Sequence, residues 1–275
     1  MAKRAGPTSH DVVDLVRRAL GMGRVGHLGT LDPFAAGLLI VVVGRATRLA
    51  TFAAGWRKSY DGVIRLGTTT TTDDPMGEPV RVTDAWRGVD RAEVESAFAA
   101  FRGLIRQRPP AHSAVKVAGE RAYRRARRGE EVVLADRPVE IVELTLTDFT
   151  SPDVAFRATV SGGTYLRSLA RDVGAALGCG AHLAALTRTG VGPFFLAEAK
   201  PPEAVTAADL RSAALLVNDL PRRALVEGER DAVVHGRPLP AIDAAERVAL
   251  FAGEELVAVG ERLGDVVKPR VVVAD

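Results

Sequence analysis

Strand-like and helix-like patterns follow one another irregularly along this 275-residue chain. A continuous apolar run at residues 38–43 is typical of a buried strand, whereas residues 9–20 place Val12, Val13 and Val16 on one face of a predicted helix. Further predicted strands lie at residues 60–67, 139–149 and 153–161, and further predicted helices at 91–101 and 164–177. The spacing is not that of repeated βαβ units and no internal repeat is evident, so we predict a mixed α/β sheet rather than a doubly wound fold.

Composition narrows the class of protein. Apolar residues make up 47% of the chain and charged residues 26%, which predicts a buried core and a soluble protein. The longest apolar run is too short to cross a bilayer, and the N-terminal sequence MAKRAGPTSH lacks the apolar segment of a signal peptide. Cys179 is the only cysteine, and the five histidines have no metal-ligand spacing. We therefore expect a cytoplasmic protein without a membrane segment, a disulfide or a metal site.

The stretch GHLGTLDPFAAGLL, residues 26–39, places a single carboxylate between glycines. Asp32 precedes Pro33, and Asp followed by Pro is typical of a helix start, with Asp as the N-cap and Pro as the first helical residue. A carboxylate in such a loop can also act as a nucleophile or a base. Taken alone, the segment favours the helix cap.

Three further segments change that interpretation. With the Asp32 loop, their order, spacing and content resemble the catalytic region of the TruB family of tRNA pseudouridine synthases, from Lys3 to about Phe194. The resemblance implies an α/β fold of the α+β type, with a mixed, largely antiparallel sheet flanked by helices. It also implies that uridine 55 in the T-loop of tRNA is isomerised to pseudouridine without a cofactor, by a monomer that needs no protein partner. The three segments are KSYDGVIRLGTTTTTDDPMG (58–77), QRPPAHSAVKVAGERAYRRARRGEEV (107–132) and SGGTYLRSLARDVGAALGCGAHLAALTRTGVGPF (161–194).

The resemblance assigns roles to individual residues. Asp32 matches the catalytic aspartate, and Tyr60 matches the tyrosine that stacks on the target base. Arg167 matches the arginine that pairs with the catalytic carboxylate, and Leu186 matches an apolar residue of the pocket. The chemistry suits these residue types, because a base taken out of the RNA stack needs an aromatic partner and a buried carboxylate needs a counter-charge. Without the resemblance, each would be an ordinary strand, helix or packing residue.

Other assignments concern the rim of the site and the departures from the family pattern. His27 matches a histidine that helps displace the target from its loop, and Lys3 matches the lysine of a Lys-Pro-x-Gly segment. Thr71 stands where the family usually has an aspartate, so Asp74 keeps the only aligned carboxylate there. His112 stands in place of a usual tyrosine.

The N-terminus departs from the family as well. Arg4 replaces the proline, and the apolar strand that normally precedes the lysine is missing from this sequence. Because an unpaired sheet edge invites aggregation, we expect an upstream in-frame start that encodes about ten more strand-like residues. The alternative is a naturally shortened enzyme with a repaired sheet edge.

Positive charge is concentrated between residues 102 and 128, where nine Lys and Arg residues accompany one acid, Glu120. Such a cluster is either a solvated face or a phosphate-binding surface, and charge alone does not decide between them. The resemblance favours contact with the RNA backbone by a subset of the cluster. This subset consists of Lys116, Arg121, Arg124, Arg125 and Arg128.

Composition changes after about Lys200. Short apolar runs at residues 247–251, 255–259 and 270–273 predict a small β-rich domain that starts near Pro221. This region resembles the PUA-like RNA-binding domain of bacterial TruB proteins, mainly through RDAVVHGRPLP. We therefore predict a catalytic domain at 1–220 and, at 221–275, a PUA-like domain that grips the acceptor side of tRNA.

Two other functions compete with a stand-alone enzyme. One is a non-catalytic RNA-binding protein that helps tRNA to fold, and the presence of Asp32, Tyr60 and Arg167 argues against this as the sole role. The other is a guide-RNA-dependent pseudouridine synthase that works with protein partners. The compact length and the lack of tails favour the stand-alone enzyme.

Overall fold

The computed structural model describes residues 1–113, 115–117, 119–130, 132, 134–242 and 244–274, with the backbone alone at 116, 117, 121, 123, 126 and 127. In chain order the α-helices are α1 (Ser9–Leu20), α2 (Arg91–Ala100), α3 (Ala122–Arg127), α4 (Leu166–Ala176) and α5 (Glu229–Val234). The strands are β1 (Ala2–Lys3), β2 (Val25–Leu28), β3 (Ala36–Leu38), β4 (Ile40–Val43), β5 (Lys58–Leu66), β6 (Thr68–Thr70), β7 (Pro79–Val82), β8 (Gly103–Gln107), β9 (Lys116–Val117), β10 (Glu120–Arg121), β11 (Arg137–Thr150), β12 (Asp153–Val160), β13 (Ala181–Val191), β14 (Phe194–Phe195), β15 (Arg222–Ala224), β16 (Leu239–Pro240), β17 (Arg247–Ala252), β18 (Glu255–Leu263) and β19 (Val266–Val272).

The chain forms two compact units, and the first is built on one large sheet. This unit comprises Met1–Thr8, Leu31–Leu38 and Gly55–Ala199. Its strands lie in the order β1-β3-β13-β5-β12-β11-β8, with β14 beside β13. Neighbouring strands are antiparallel except for β13 and β3, which are parallel. The predicted mixed, largely antiparallel sheet is therefore confirmed.

Alternation along β5 separates a buried face of the sheet from an open one. Tyr60, Ile64 and Leu66 are buried, while the alternate positions from Asp61 to Arg65 point the other way. Helix α4 packs on β13 and helix α2 on β11. Gly174 of α4 allows this approach, because a Cβ there would lie 2.3 Å from the amide nitrogen of Ala181. The buried face thus holds the core and carries Tyr60 among apolar side chains.

The Asp32 loop leads into a strand and not into a helix. The amide of Ala35 donates to the carbonyl of Asp32 (3.1 Å), which makes a turn, and β3 begins at the next residue. The helix-cap interpretation is wrong because the residues after the turn pair with β13 and β1, and these tertiary hydrogen bonds outweigh the local capping preference. The predicted strand at 38–43 is likewise divided at Leu39 between two sheets.

The second compact unit comprises Ser9–Thr30, Leu39–Ala54 and Lys200–Asp275. Strands β15-β17-β18-β19-β16 form its sheet, and β2 pairs with β4 in a separate two-stranded sheet. The three apolar runs predicted to be strands are β17, β18 and β19. The β-rich C-terminal region is therefore confirmed, while the boundary between residues 220 and 221 stays a prediction.

Across the described residues, none of the helices has both the length and the apolar character that a membrane span requires.

Candidate active site

The first compact unit brings Asp32 and Arg167 together across 135 residues of sequence. Arg167 Nε lies 2.9 Å from Asp32 Oδ2, and Arg167 Nη2 donates to Asp32 Oδ1 at 3.3 Å. The guanidinium therefore contacts both carboxylate oxygens, one through a hydrogen bond from Nη2 and the other through an ion-pair contact from Nε. The arginine side chain is only 7% exposed, whereas the aspartate side chain is 36% exposed. The carboxylate is thus held from the protein side and remains open to a ligand.

Arg167 is fixed by further acceptors around its planar fork. Its Nη1 donates to the carbonyl of Thr72 (2.9 Å) and lies 3.5 Å from Asp74 Oδ2, while Nη2 donates to the carbonyl of His112 (3.0 Å). Asp74 is itself buried and accepts from the Thr72 hydroxyl at 2.5 Å. The guanidinium is therefore rigidly oriented toward Asp32, since each of its nitrogens has an acceptor.

The groups around the Asp32 carboxylate shift its pKa in opposite directions. Burial raises its pKa above the ordinary value of 3.8, and the negative charge of Asp74 raises it further. Arg167 lowers the pKa by charge and by hydrogen bonding, and Lys3 lowers it to a smaller extent. The net direction is upward, so this carboxylate binds a proton more tightly than an exposed aspartate does.

Lys3 holds the backbone of the Asp32 loop. Its ammonium group is buried and donates to the carbonyl of Ala35 at 2.6 Å. The carbonyls of Asp32 and Pro33 each lie 3.3 Å from the same nitrogen. Lys3 is also paired with Gly37 at the edge of the sheet. The lysine therefore binds three carbonyl groups of one turn, and these contacts fix the backbone of the loop that carries Asp32.

Tyr60 and Leu186 lie on the same face of neighbouring strands. Tyr60 pairs with Arg188 and Gly62 with Leu186 across β5 and β13, and both side chains are buried, at 6% and 9% exposure. Burial raises the pKa of the Tyr60 phenol, and the charge of Asp32 raises it further. Tyr60 is thus a neutral aromatic close enough to Asp32 to sense its charge.

Sequence reasoning missed three residues beside this site. Arg188 is 1% exposed and donates through Nε to the carbonyl of Leu38 (2.8 Å). It partly offsets the rise that burial causes in the pKa of Tyr60. Burial, with a smaller contribution from Arg188, lowers the pKa of Lys58 to about 8. Gln107 is buried and bonds to Tyr165, whose pKa is raised by burial and by the charge of Asp32. For Arg188 a signal existed, because it is a cation at an inward position of an apolar strand.

His27 and Thr71 complete the set of residues singled out in the sequence. His27 belongs to the second compact unit, where it pairs with Val41 on β2 and β4. Thr71 is exposed, and the carboxylate of Asp73 lies 3.3 Å from Arg171 Nη1. No group of three His, Cys, Asp or Glu residues in the described ranges is placed to hold a metal ion.

The predicted RNA-backbone residues are only partly described, since the side chains of Lys116 and Arg121 lie outside the described residues. Arg128 forms ion pairs with Glu120 and Glu130, each at 2.7 Å, and Arg125 pairs with Glu130 at 2.7 Å. Arg124 is exposed. Because Glu130 lies just beyond the basic run, the sequence count of one acid understated the neutralisation of the cluster.

Comparison with known protein families identifies the family of this chain. Residues 17–166 match the TruB family pseudouridylate synthase (N terminal domain), more than half of the chain. The chain belongs to the TruB family of pseudouridine synthases. Residues 167–227 match the tRNA pseudouridylate synthase B C-terminal domain. The predicted family resemblance is thus confirmed.

Individual TruB relatives match over nearly the whole chain. The tRNA pseudouridine synthase B of Thermobifida fusca is 47% identical over 99% of this chain and 96% of that protein. The one from Paenarthrobacter aurescens is 42% identical over 99% of this chain and 93% of that protein.

Solved structures agree with this assignment. A chain of a Cbf5-Nop10-Gar1 complex superposes with a TM-score of 0.72 at 27% identity, over 99% of this chain and 83% of that one. A chain of an H/ACA RNP bound to a substrate RNA containing 2'-deoxyuridine gives 0.71 at 25% identity, over 100% of this chain and 84% of that one.

Proposed function

We propose that this chain isomerises uridine 55 in the T-loop of tRNA to pseudouridine, with Asp32 as the catalytic carboxylate. Family membership and the tRNA pseudouridine synthase B relatives support the reaction and the class of RNA. The observation that carries the site is the bidentate pairing of a partly exposed Asp32 with a buried Arg167.

The reaction breaks the bond between C1′ of the ribose and N1 of the base and forms a bond from C1′ to C5. The hydrogen on C5 leaves as a proton to solvent, and N1 takes up a proton. Asp32 acts as a nucleophile on the sugar or the base, or as a base at the ribose, and each of these roles requires the ionised carboxylate. Burial opposes ionisation of the carboxylate and Arg167 favours it, so the arginine counteracts part of the effect of burial on the pKa of Asp32. Asp74 orients Arg167 from its other side.

The target base must leave the RNA stack to reach Asp32. In this proposal Tyr60 stacks on the flipped base, Leu186 forms the apolar wall of the pocket and Lys3 holds the loop that presents Asp32. His27 helps to displace the base from the T-loop. These contacts need no cofactor and no second protein.

The rest of the molecule binds the tRNA in this proposal. The basic residues assigned above to the RNA backbone contact phosphates of the T-arm, and the β-rich C-terminal region grips the acceptor side. The proposed enzyme acts as a cytoplasmic monomer. A guide-RNA-dependent mode is less well supported, because the curated relatives at 42–47% identity are named for a tRNA enzyme whereas the Cbf5-containing complex is 27% identical.

The test is the release of tritium from 5-tritiated uridine in an unmodified tRNA transcript, with the purified chain alone. We expect Asp32→Asn to abolish release while tRNA binding survives, since binding is spread over many phosphate contacts. Asp153→Asn is the matched control, because that carboxylate accepts two hydrogen bonds from an exposed arginine, Arg65. A transcript with cytidine at position 55 should release no tritium above background.

Substantial turnover by the Asp32→Asn protein would show that Asp32 is not the catalytic carboxylate. Tritium release from the transcript with cytidine at position 55 would show that the target is another uridine. A requirement for added guide RNA would favour the guide-dependent mode.

A further inference from the structure

Gln107, the last residue of β8, makes an unusual pair of hydrogen bonds. Its side-chain Nε2 donates to the carbonyl of Tyr165 at 3.1 Å, and its Oε1 accepts from the amide of Tyr165 at 2.8 Å. Both ends of the amide therefore bind the backbone of one residue, as a neighbouring strand would. Gln107 is 1% exposed, so water does not compete for these bonds.

Tyr165 is the residue from which α4 starts. It is the N-cap of the helix and supplies no side-chain capping bond, and Arg167 is the second residue of the helix. Its ring packs against Val115 and Leu134. The start of α4 is therefore held by Gln107 on its backbone and by apolar packing on its side chain.

The segment after Gln107 contacts the first turns of the same helix. The carbonyl of Arg108 accepts from the Ser168 hydroxyl (2.8 Å) and from Arg171 Nη2 (3.0 Å). The carbonyl of His112 accepts from Arg167 Nη2. Residues 107–112 thus form a strap along the beginning of α4, and Gln107 is the point where the strap is joined to the sheet.

We propose that Gln107 is a positioning residue, which fixes the start of α4 and so holds the Arg167 guanidinium in its bidentate contact with Asp32. The inference rests on the proposed function for its effect on turnover. A shift of α4 by a fraction of an ångström lengthens the bonds of 2.9 and 3.3 Å that join Arg167 to Asp32. Such displacements at a reacting centre reduce turnover strongly.

The role predicts a change in the titration of Asp32 that loss of folding alone would not produce. The charged groups that act on Asp32 are Arg167, Asp74 and Lys3. If Arg167 moves away while the other two stay, its lowering effect weakens and the pKa of Asp32 rises. The acid limb of kcat/KM then moves to higher pH.

The experiment compares Gln107→Met, which keeps length and flexibility but removes both bonds, with Gln107→Asn, which keeps an uncharged amide but is one methylene shorter. Arg102→Met is the matched control, since it removes another bond from a side chain to a backbone carbonyl, that of Leu144 in β11 (2.9 Å). We expect Gln107→Met to lower kcat by about tenfold to a hundredfold with little change in KM, and Gln107→Asn to lower it less because the amide group is retained. The control should leave both constants and the pH profile unchanged.

Titration of the Asp32 carboxyl group by carbon-13 NMR separates this proposal from the proposed function, because it needs no turnover. A wild-type protein that does not isomerise uridine contradicts the proposed function, while a raised Asp32 pKa in Gln107→Met still supports the positioning role. A folded Gln107→Met protein with unchanged kcat and unchanged Asp32 pKa overturns the positioning role. If Gln107→Met fails to fold, the same two measurements on Gln107→Asn decide in its place.

Discussion

At the scale of single residues, the site depends on one guanidinium shared between two carboxylates. Arg167 contacts Asp32 at 2.9 Å and Asp74 at 3.5 Å. Removing one member of a buried ionic group leaves the others uncompensated, which typically costs about 3–5 kcal/mol. The arrangement therefore makes the charge state of Asp32 depend on both neighbours, in opposite directions.

These opposite dependences give a prediction with a definite sign. Asp74 raises the pKa of Asp32 and Arg167 lowers it. If the ionised carboxylate is required, kcat/KM falls as the pH drops through that pKa. We expect Asp74→Asn to move the acid limb to lower pH and Arg167→Gln to move it to higher pH. The measurement is tritium release against pH, with Asp61→Asn, a carboxylate paired with Arg157, as the control. Shifts in the same direction for both variants would contradict the assignment.

At the scale of secondary-structure elements, the position of the Asp32 loop depends on the pairing of β3, the strand that follows it, with β13. Gly37 has φ +110°, and a Cβ there would lie 2.3 Å from the carbonyl oxygen of Arg188. Only glycine allows this approach, because any side chain would collide with the backbone of the neighbouring strand. The close contact keeps β3 beside β13, the strand that also carries Leu186 and Arg188.

We predict that Gly37→Ala destabilises the protein more than a strained glycine elsewhere does. Both Gly37→Ala and the control Gly103→Ala carry the strain of a positive φ, but nothing lies within 4 Å of a Cβ at Gly103. The extra cost of overpacking is about 1–3 kcal/mol, measurable by urea unfolding. Turnover should fall with Gly37→Ala and stay near wild type with Gly103→Ala. Equal stability of the two variants would show that β3 can move away from β13.

At the scale of the whole molecule, net charge says little about binding to RNA. The total is only +3, and the concentrated basic run is partly neutralised by Glu120 and Glu130. Hydrogen bonds from Arg128 and Arg125 hold the pKa of Glu130 below its usual value, so it stays ionised. Phosphates of a tRNA would therefore have to compete with these carboxylates for the same guanidinium groups.

We predict that reversing the charge at Arg124, Arg125 and Arg128 together weakens tRNA binding and flattens its salt dependence. On duplex nucleic acid each lost phosphate contact reduces the slope of log affinity against log salt by about 0.9. The control is the double change Arg87→Glu and Arg91→Glu on another exposed part of the first unit. An unchanged slope for the triple variant would assign the cluster to a solvated face.

The sequence predicted much of the fold because many elements carry their own periodic signal. Helix α1 begins and ends as predicted, and the strands β11, β12 and β17 to β19 lie where apolar runs and turns placed them. The Asp32 loop was harder, since the capping preference of Asp-Pro is a local signal and the pairing of Ala36–Leu38 with β13 is not. The boundary at residue 220 and the role of His27 stay predictions.

What the sequence determined by itself was the family, and with it the prediction that Asp32, Tyr60 and Arg167 form the site, because motifs in a fixed order can be read along the chain. What only the tertiary structure decided was how Arg167 is held. Its acceptors are backbone carbonyls of Thr72 and His112, and its helix is anchored by Gln107. A backbone carbonyl is present in every residue, so its use as a ligand leaves no mark in the sequence. Such contacts become visible only when folding brings distant segments together.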